Sequence, residues 1–263
     1  MIPKLIAVDM DGTFLNDEKT YDRERFNKLY AKTQAQGTRF VVASGNQYYQ
    51  LKTFFDQPEV LFLAENGAYC GTADTELFAS IFQPEQAQKV LDALLQIPEL
   101  KLAICGVKSA YIRKQEGQAW IDETRHYYTH LLAIDTFDQR PDDEVLKFAM
   151  GCPPEKTDEI LAQIAKATAG LAVPTSSGHG DIDVIQPGVN KAAGLKRLGE
   201  SLGIDLSKMC AFGDGGNDLE MLQEVGLGVA MQNASPQVSA IADDHTLDNN
   251  HAGVLAYLET IFN

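Results

Sequence analysis

Short apolar runs and helical stripes alternate along the first quarter of the chain. Leu5 to Val8 is an apolar run ended by Asp9, with the length and composition of a strand buried on both faces. Phe26, Leu29, Tyr30 and Thr33 recur at helical spacing, and Gly37 follows as a stop. Thr38 to Ala43 is rich in β-formers, Tyr48, Leu51, Phe54 and Phe55 predict a second helix, and Val60 to Ala64 predict a third strand. Strand–helix units in this rhythm imply right-handed crossovers and a parallel sheet. The last quarter repeats the rhythm. Leu195, Leu198 and Leu202 mark a helix ending near Gly203, Met209 to Phe212 a strand, Leu219 to Val225 a short helix and Leu227 to Met231 a strand. A final helix carries Val254, Leu255, Leu258 and Ile261.

The middle of the chain reads differently. Strands are expected around Leu102 to Cys105, Ala110 to Arg113, Leu146 to Met150 and Ile182 to Ile185, and helices around Glu85 to Gln96 and Glu155 to Ala169. None of these strands ends in an acidic motif. Pro84 stands at the entry to this region and Pro187 at the exit, so residues 83–186 read as a second domain inserted into a discontinuous first one, residues 1–82 and 187–263. The acidic, Pro141-containing segment from Asp135 to Glu144 reads as a solvated loop.

Composition narrows the function. A chain of 263 residues with 44% apolar and 22% charged residues is an ordinary globular protein. A net charge of −15 argues against nucleic acid as a partner. No apolar run approaches the ~18 residues of a spanning helix, and the N-terminus lacks the pattern of a signal peptide. Cys70, Cys105, Cys152 and Cys210 are scattered without metal-ligand spacing. Reduced cysteines and a cytoplasmic location are expected.

Three polar clusters follow β-rich runs directly, where ligands bind in open α/β sheets: Asp9 to Thr13, Ser44 to Asn46, and Gly213 to Asp218. Asp9 and Asp11, two residues apart, can face one ligand if the segment is extended. Adjacent carboxylates repel, and a hard divalent cation with oxygen ligands is the natural remedy, with Asp214 and Asp218 supplying more oxygens. Ser44-Gly45, between a strand and a helix start, could attract an anion, although an N-cap serine is the commoner use. Lys191 opens a helix after Gly188-Val189-Asn190, an unfavourable place for a cation unless an anion binds there.

These motifs, Asp9-x-Asp11-Gly12-Thr13, Ser44-Gly45, Lys191 and Gly213-Asp214-x-x-Asn217-Asp218, resemble in kind and order those of the haloacid dehalogenase superfamily. The insertion, with Glu65-Asn66-Gly67-Ala68 and Asn249 to Val254, is similar to Cof-type sugar phosphatases. The resemblance implies an α/β fold, a Rossmann-like parallel sheet core with helices on both faces plus an inserted α+β cap domain. It implies Asp9 as covalent nucleophile and Asp11 as general acid and base. Mg²⁺ would be held by Asp9, the Asp11 carbonyl and Asp214, with Asp218 nearby. Ser44, Gly45 and Lys191 would hold the phosphoryl group, Asn217 and Asp218 would orient lysine, water or metal, and Thr13 would support the turn around Asp11. Many relatives carry arginine where this chain has Asn46, which suggests contact with substrate hydroxyls or a structural hydrogen bond.

Substrate selection would fall to the insertion. Thr175 to Asp181 reads as a flexible polar turn facing substrate, with His179 as a sugar-hydroxyl contact. Tyr111, Trp120, Tyr127 and Tyr128 could line a sugar pocket. His126 and His130, four apart, could pair on a helix but lack a third ligand. The expected activity is Mg²⁺-dependent hydrolysis of a small phosphorylated metabolite, a sugar phosphate first of all. Transfer of the phosphoryl group to another sugar hydroxyl and a non-catalytic phospho-ligand sensor are the alternatives. The oligomeric state is not legible.

Overall fold

The computed structural model of the chain describes residues 2–98, 100–178 and 180–262. The N-terminal segment runs β1 (Leu5–Val8), α1 (Arg23–Ala35), β2 (Arg39–Ala43), α2 (Tyr48–Leu51), β3 (Leu61–Ala64), β4 (Tyr69–Gly71) and β5 (Glu76–Ala79). The middle carries α3 (Pro84–Leu94), β6 (Lys101–Gly106), β7 (Ala110–Arg113), α4 (Gln118–Thr124), β8 (Leu131–Ile134), β9 (Val145–Gly151), α5 (Thr157–Ala167), β10 (Val173–Gly178) and β11 (Asp181–Ile185). The last segment holds α6 (Lys191–Leu202), β12 (Met209–Gly213), α7 (Leu219–Glu224), β13 (Leu227–Ala230), α8 (Pro236–Ile241), β14 (Asp244–His245) and α9 (Gly253–Ile261).

These strands form two sheets, ordered β14-β13-β12-β1-β2-β3-β4-β5 and β10-β11-β9-β6-β7-β8. The first is parallel from β14 to β3 and closes with the antiparallel pairs β3–β4 and β4–β5. Alternation along its strands covers both faces. Ile6 and Val8 pack with Phe26, Leu29, Val254 and Leu258 of α1 and α9, while Leu5 and Ala7 pack with Leu195, Leu198 and Met221 of α6 and α7. From β1 the chain proceeds to β2 and β3 on one side and returns to β12 and β13 on the other. The strand order therefore reverses between β1 and β12, and open α/β sheets leave their crevice at such a point.

The second sheet is antiparallel except for β7–β8. One face packs Leu102, Ile104, Phe148 and Met150 against α3 and α5. The opposite face presents Lys101, Ala103, Lys147, Ala149 and Gly151 to a cavity shared with the first sheet. The segments that join the two sheets run side by side, with Gln186 Nε2 donating to Ser80 O at 2.7 Å.

Four local expectations need correction. The predicted helix through Phe55 stops at Leu51, passes through a 3-10 turn over Lys52–Phe54 and leaves Phe55 extended. Thr175 to Gly178 is not a flexible turn: it lies in β10, paired with β11, because Thr and Ser satisfy a strand ladder that their polarity conceals in the sequence. His179 lies outside the described residues. Asp143, inside the supposed solvated loop, is 7% exposed and accepts from the N–H groups of Lys108 and Ser109 and from the Tyr111 hydroxyl. His126 and His130 share no helix, since α4 ends at Thr124 and His130 stacks on Tyr49 at 3.8 Å between ring centroids.

Candidate active site

Asp9 follows β1 and Asp214 follows β12, at the two strand ends that flank the reversal point. The chain does not stay extended after Asp9. It turns at once, with Phe14 N–H donating to the carbonyls of Asp9 and Met10. Gly12 takes φ +77° in this turn, and a Cβ there would lie 2.5 Å from Asp214 Oδ2, so glycine lets the two strand ends close up. Thr13 Oγ1 donates to Asp214 Oδ1 at 2.6 Å, so this side chain orients Asp214 rather than the turn around Asp11.

Lys191 opens α6, whose N-cap Asn190 accepts from Ala193 N–H. Its side chain is fully buried, and Nζ donates to Asp9 Oδ1 and Asp218 Oδ1, each at 2.6 Å. Asp218 is saturated further, because its Oδ2 accepts from the backbone N–H groups of Asp214 and Gly215, each at 3.0 Å. Carboxylate oxygens of Asp9, Asp214 and Asp218 lie within 4.8 Å of one another. Burial raises the Asp9 carboxyl well above its usual range against the pull of Lys191, and Asp218 and Asp214 add to the rise. Burial and Asp218 likewise push Asp214 up to about 6. For Lys191, burial works against the charge, but Asp218 and Asp9 outweigh it and hold the ammonium above its usual range. Three crowded carboxylates against one ammonium leave the cluster short of positive charge. The oxygen donor set and this deficit fit a hard divalent cation.

Asp11 is half-buried, and its side chain is occupied. Lys19 Nζ donates to Oδ1 and Asn46 Nδ2 to Oδ2, each at 2.6 Å. Asn46 thus makes the structural hydrogen bond that stood as one of its two readings. Sequence reasoning missed Lys19. It sits in a left-handed turn (φ +58°), with its ammonium 6.0 Å from the Tyr127 ring centroid. Its only signal was a basic residue close after Asp11 in an acidic chain.

Ser44 is buried but does not cap a helix. α2 begins at Tyr48 with Gln47 as N-cap, and Ser44 Oγ instead accepts from Asn46 N–H at 3.1 Å. A single-turn helix has little dipole, so any anion there must be met by side chains and loop N–H groups. Asn217 Nδ2 donates to Asn66 Oδ1 at 3.1 Å, at the edge of the same cavity.

That cavity encloses about 1020 Å³ between the sheets. Asp9, Asp11, Lys19, Ser44, Asp214 and Asn217 form its floor. Trp120, Tyr127 and Tyr128 stand among its opposite walls, whereas Tyr111 is turned into the core of the second sheet with its hydroxyl on Asp143. Gly180 and Asp181 line it too.

Residues 6–258 match the family model of haloacid dehalogenase-like hydrolases. The chain belongs to that family. It is 42% identical over 260 residues to the Escherichia coli (strain K12) 5-amino-6-(5-phospho-D-ribitylamino)uracil phosphatase YbjI, covering 98% of this chain and 96% of the relative. A Bacillus subtilis phosphatase of the same description, YcsE, is 31% identical, with 95% and 92% covered. Among solved structures, SMU.1108c from Streptococcus mutans UA159 superposes with a TM-score of 0.91 at 32% identity, covering 98% of each chain. This family member is an enzyme, a phosphoric monoester hydrolase, as the motif order implied. No helix among the described residues is long and apolar enough to cross a membrane.

Proposed function

We propose that the protein is a Mg²⁺-dependent phosphatase that hydrolyses small polyhydroxylated phosphate monoesters through an aspartyl-phosphate on Asp9. The observation that carries this reading is the buried Lys191 ammonium, 2.6 Å from Asp9 Oδ1, with Asp9 facing a cavity large enough for a metabolite.

Lys191 pulls against the burial that raises the Asp9 carboxyl and offers charge to the phosphoryl oxygens. An Asp9 oxygen attacks phosphorus as the ester P–O bond breaks, and protonated Asp11 gives its proton to the leaving alkoxide. Asp11, returned to a carboxylate, then takes a proton from water as the water oxygen attacks phosphorus and the Asp9–phosphorus bond breaks. Lys19 and Asn46 hold the Asp11 carboxyl in place between these two tasks. Ser44, together with Lys191, meets the phosphoryl group in this reading. Asp9 and Asp214, with the Asp11 carbonyl and Asp218 beside them, would hold Mg²⁺. Bound there, the ion supplies positive charge as negative charge spreads over the phosphoryl oxygens.

Residues 83–186 act in this reading as the cap that selects substrate, over a core of residues 1–82 and 187–263. Trp120 and Tyr127 offer flat apolar surface beside polar walls, which suits a polyol phosphate bearing a planar group as well as a simple sugar phosphate. The names of two relatives point to the former. The decisive assay measures phosphate release from sugar phosphates and from 5-amino-6-(5-phospho-D-ribitylamino)uracil with Mg²⁺. No release from any of them, or undiminished release by Asp9→Ala, sinks the proposal.

A further inference from the structure

The turn at residues 44–46 is held by its carbonyls. Ser44 O accepts from Asn66 N–H at 3.0 Å and Asn46 O from Glu65 N–H at 3.1 Å, both within the first sheet's own segments. The remaining carbonyl, Gly45 O, is held from the other side of the cavity. It accepts from Lys147 Nζ at 2.6 Å. Lys147 stands in β9 between Leu146 and Phe148, on the face that carries Ala103 and Ala149, and is 1% exposed.

Its two other partners are Asp183 Oδ2 of β11 at 2.8 Å and Glu65 Oε2 at 3.2 Å. Its hydrogen bonds go to Gly45 and Asp183, while Glu65 adds an ion pair without hydrogen-bond geometry. Glu65 is itself strained into place, since it and Asn66 adopt φ +53° and +55°, a region that non-glycine residues seldom enter. Asn66 then donates to Asp183 Oδ2 at 2.6 Å. A Cβ on Gly45 would meet Asn66 Oδ1 at 3.1 Å and Asp183 Oδ2 at 3.3 Å, so the turn and β11 approach as closely as glycine permits.

A buried ammonium among carboxylates is a poor way to stabilise a seam, because desolvation offsets much of the attraction and an apolar residue would serve as well. The chain nevertheless places a lysine where an alanine-lined face would accept an apolar side chain. What the lysine adds is a directed donor at one carbonyl beside the catalytic floor. We propose that Lys147 is a positioning residue for phosphate binding: it fixes the Gly45 carbonyl, and through it the orientation of Ser44, when residues 83–186 are seated on the core. This rests on the reading of Ser44 as a phosphate ligand.

The test compares full-length wild type with Lys147→Met in Mg²⁺. Amide hydrogen exchange is followed over residues 43–47, and inorganic phosphate binding is measured by titration calorimetry. Loss of a charge-assisted bond to this carbonyl should speed exchange at residues 44–46 and weaken phosphate binding by about tenfold each, with β2 and α6 protected as before. In turnover, KM should rise by more than kcat falls. Unchanged exchange and unchanged phosphate affinity overturn the proposal, whatever happens to Tm. If Lys147→Met does not fold, the charge-balanced double variant Lys147→Met/Asp183→Asn is read by the same two measurements and the same outcomes. A wild type that binds phosphate but hydrolyses no ester refutes the phosphatase reading while leaving this comparison intact.

Discussion

Lys191 and Lys147 are both buried among carboxylates, yet the charge around them is resolved differently. Lys191 faces Asp9 and Asp218 with Asp214 close by, and the cluster remains short of positive charge. Lys147 faces Asp183 and Glu65, but it also donates to a backbone carbonyl, and burial pushes Glu65 up to about 7. A proton on Glu65 balances that cluster from within. The first cluster also has raised carboxyls, Asp9 and Asp214, but it opens onto the cavity, where a cation can take the place of a proton. In the proposed function the first cluster is a site for a cation and a phosphate, whereas the second joins the two sheets.

The sharpest way to break the comparison is at Asp9. Asp9→Asn should lower phosphate release by about four orders of magnitude or more, as removal of a covalent nucleophile does, while a folded protein persists in circular dichroism. Lys191→Met comes next. It leaves Asp9 and Asp218 buried without their counter-charge, and a loss of about 3–5 kcal/mol of unfolding free energy is expected in denaturant titration. Retained stability would mean that the ammonium is dispensable there.

Glu65→Gln sharpens the other side. With its folded value near 7 against an ordinary 4.5, Glu65 holds a proton in the folded state that the unfolded chain releases between those values. Its contribution to stability therefore falls as pH rises from about 4.5 to 7. Glu65→Gln should remove that slope, gaining on wild type by about 3 kcal/mol across the window in urea titrations at each pH. Mg²⁺ at about 100 times its dissociation constant should stabilise wild type by about 2.7 kcal/mol, and Asp214→Asn should reduce the gain, read as a thermal shift without any substrate. Lys19→Met is the mildest change. Its bridge to Asp11 is half exposed, so stability should move by about 1 kcal/mol or less, with the effect read instead as a fall in kcat.

Regular spacing made most of the first sheet legible. β1, β12 and α6 fall within a residue of the expected elements, since strands buried on both faces read as apolar runs and a long helix shows its stripe. Polar strands were less readable. β10 hid behind Thr and Ser, and the antiparallel β4 and β5 were not expected at all. Asp143 looked solvated because its partners, Lys108, Ser109 and Tyr111, lie more than thirty residues earlier.

The same division holds at the site. Asp9, Asp11, Ser44, Lys191 and Asp214 were nameable from the chain because each sits at a strand end or helix start, a place that local pattern marks. The parallel core and its carboxyl edge followed from that pattern too. Lys147 and Asp183 carry no local mark, and nothing local named the partners of Lys19 and Glu65. Lys147 and Asp183 reach Gly45 and Asn66 over up to 117 positions, and such contacts exist only once the two sheets face each other across the cavity. Period and strand-end chemistry are properties of neighbours in sequence. Which buried charge meets which is decided by packing.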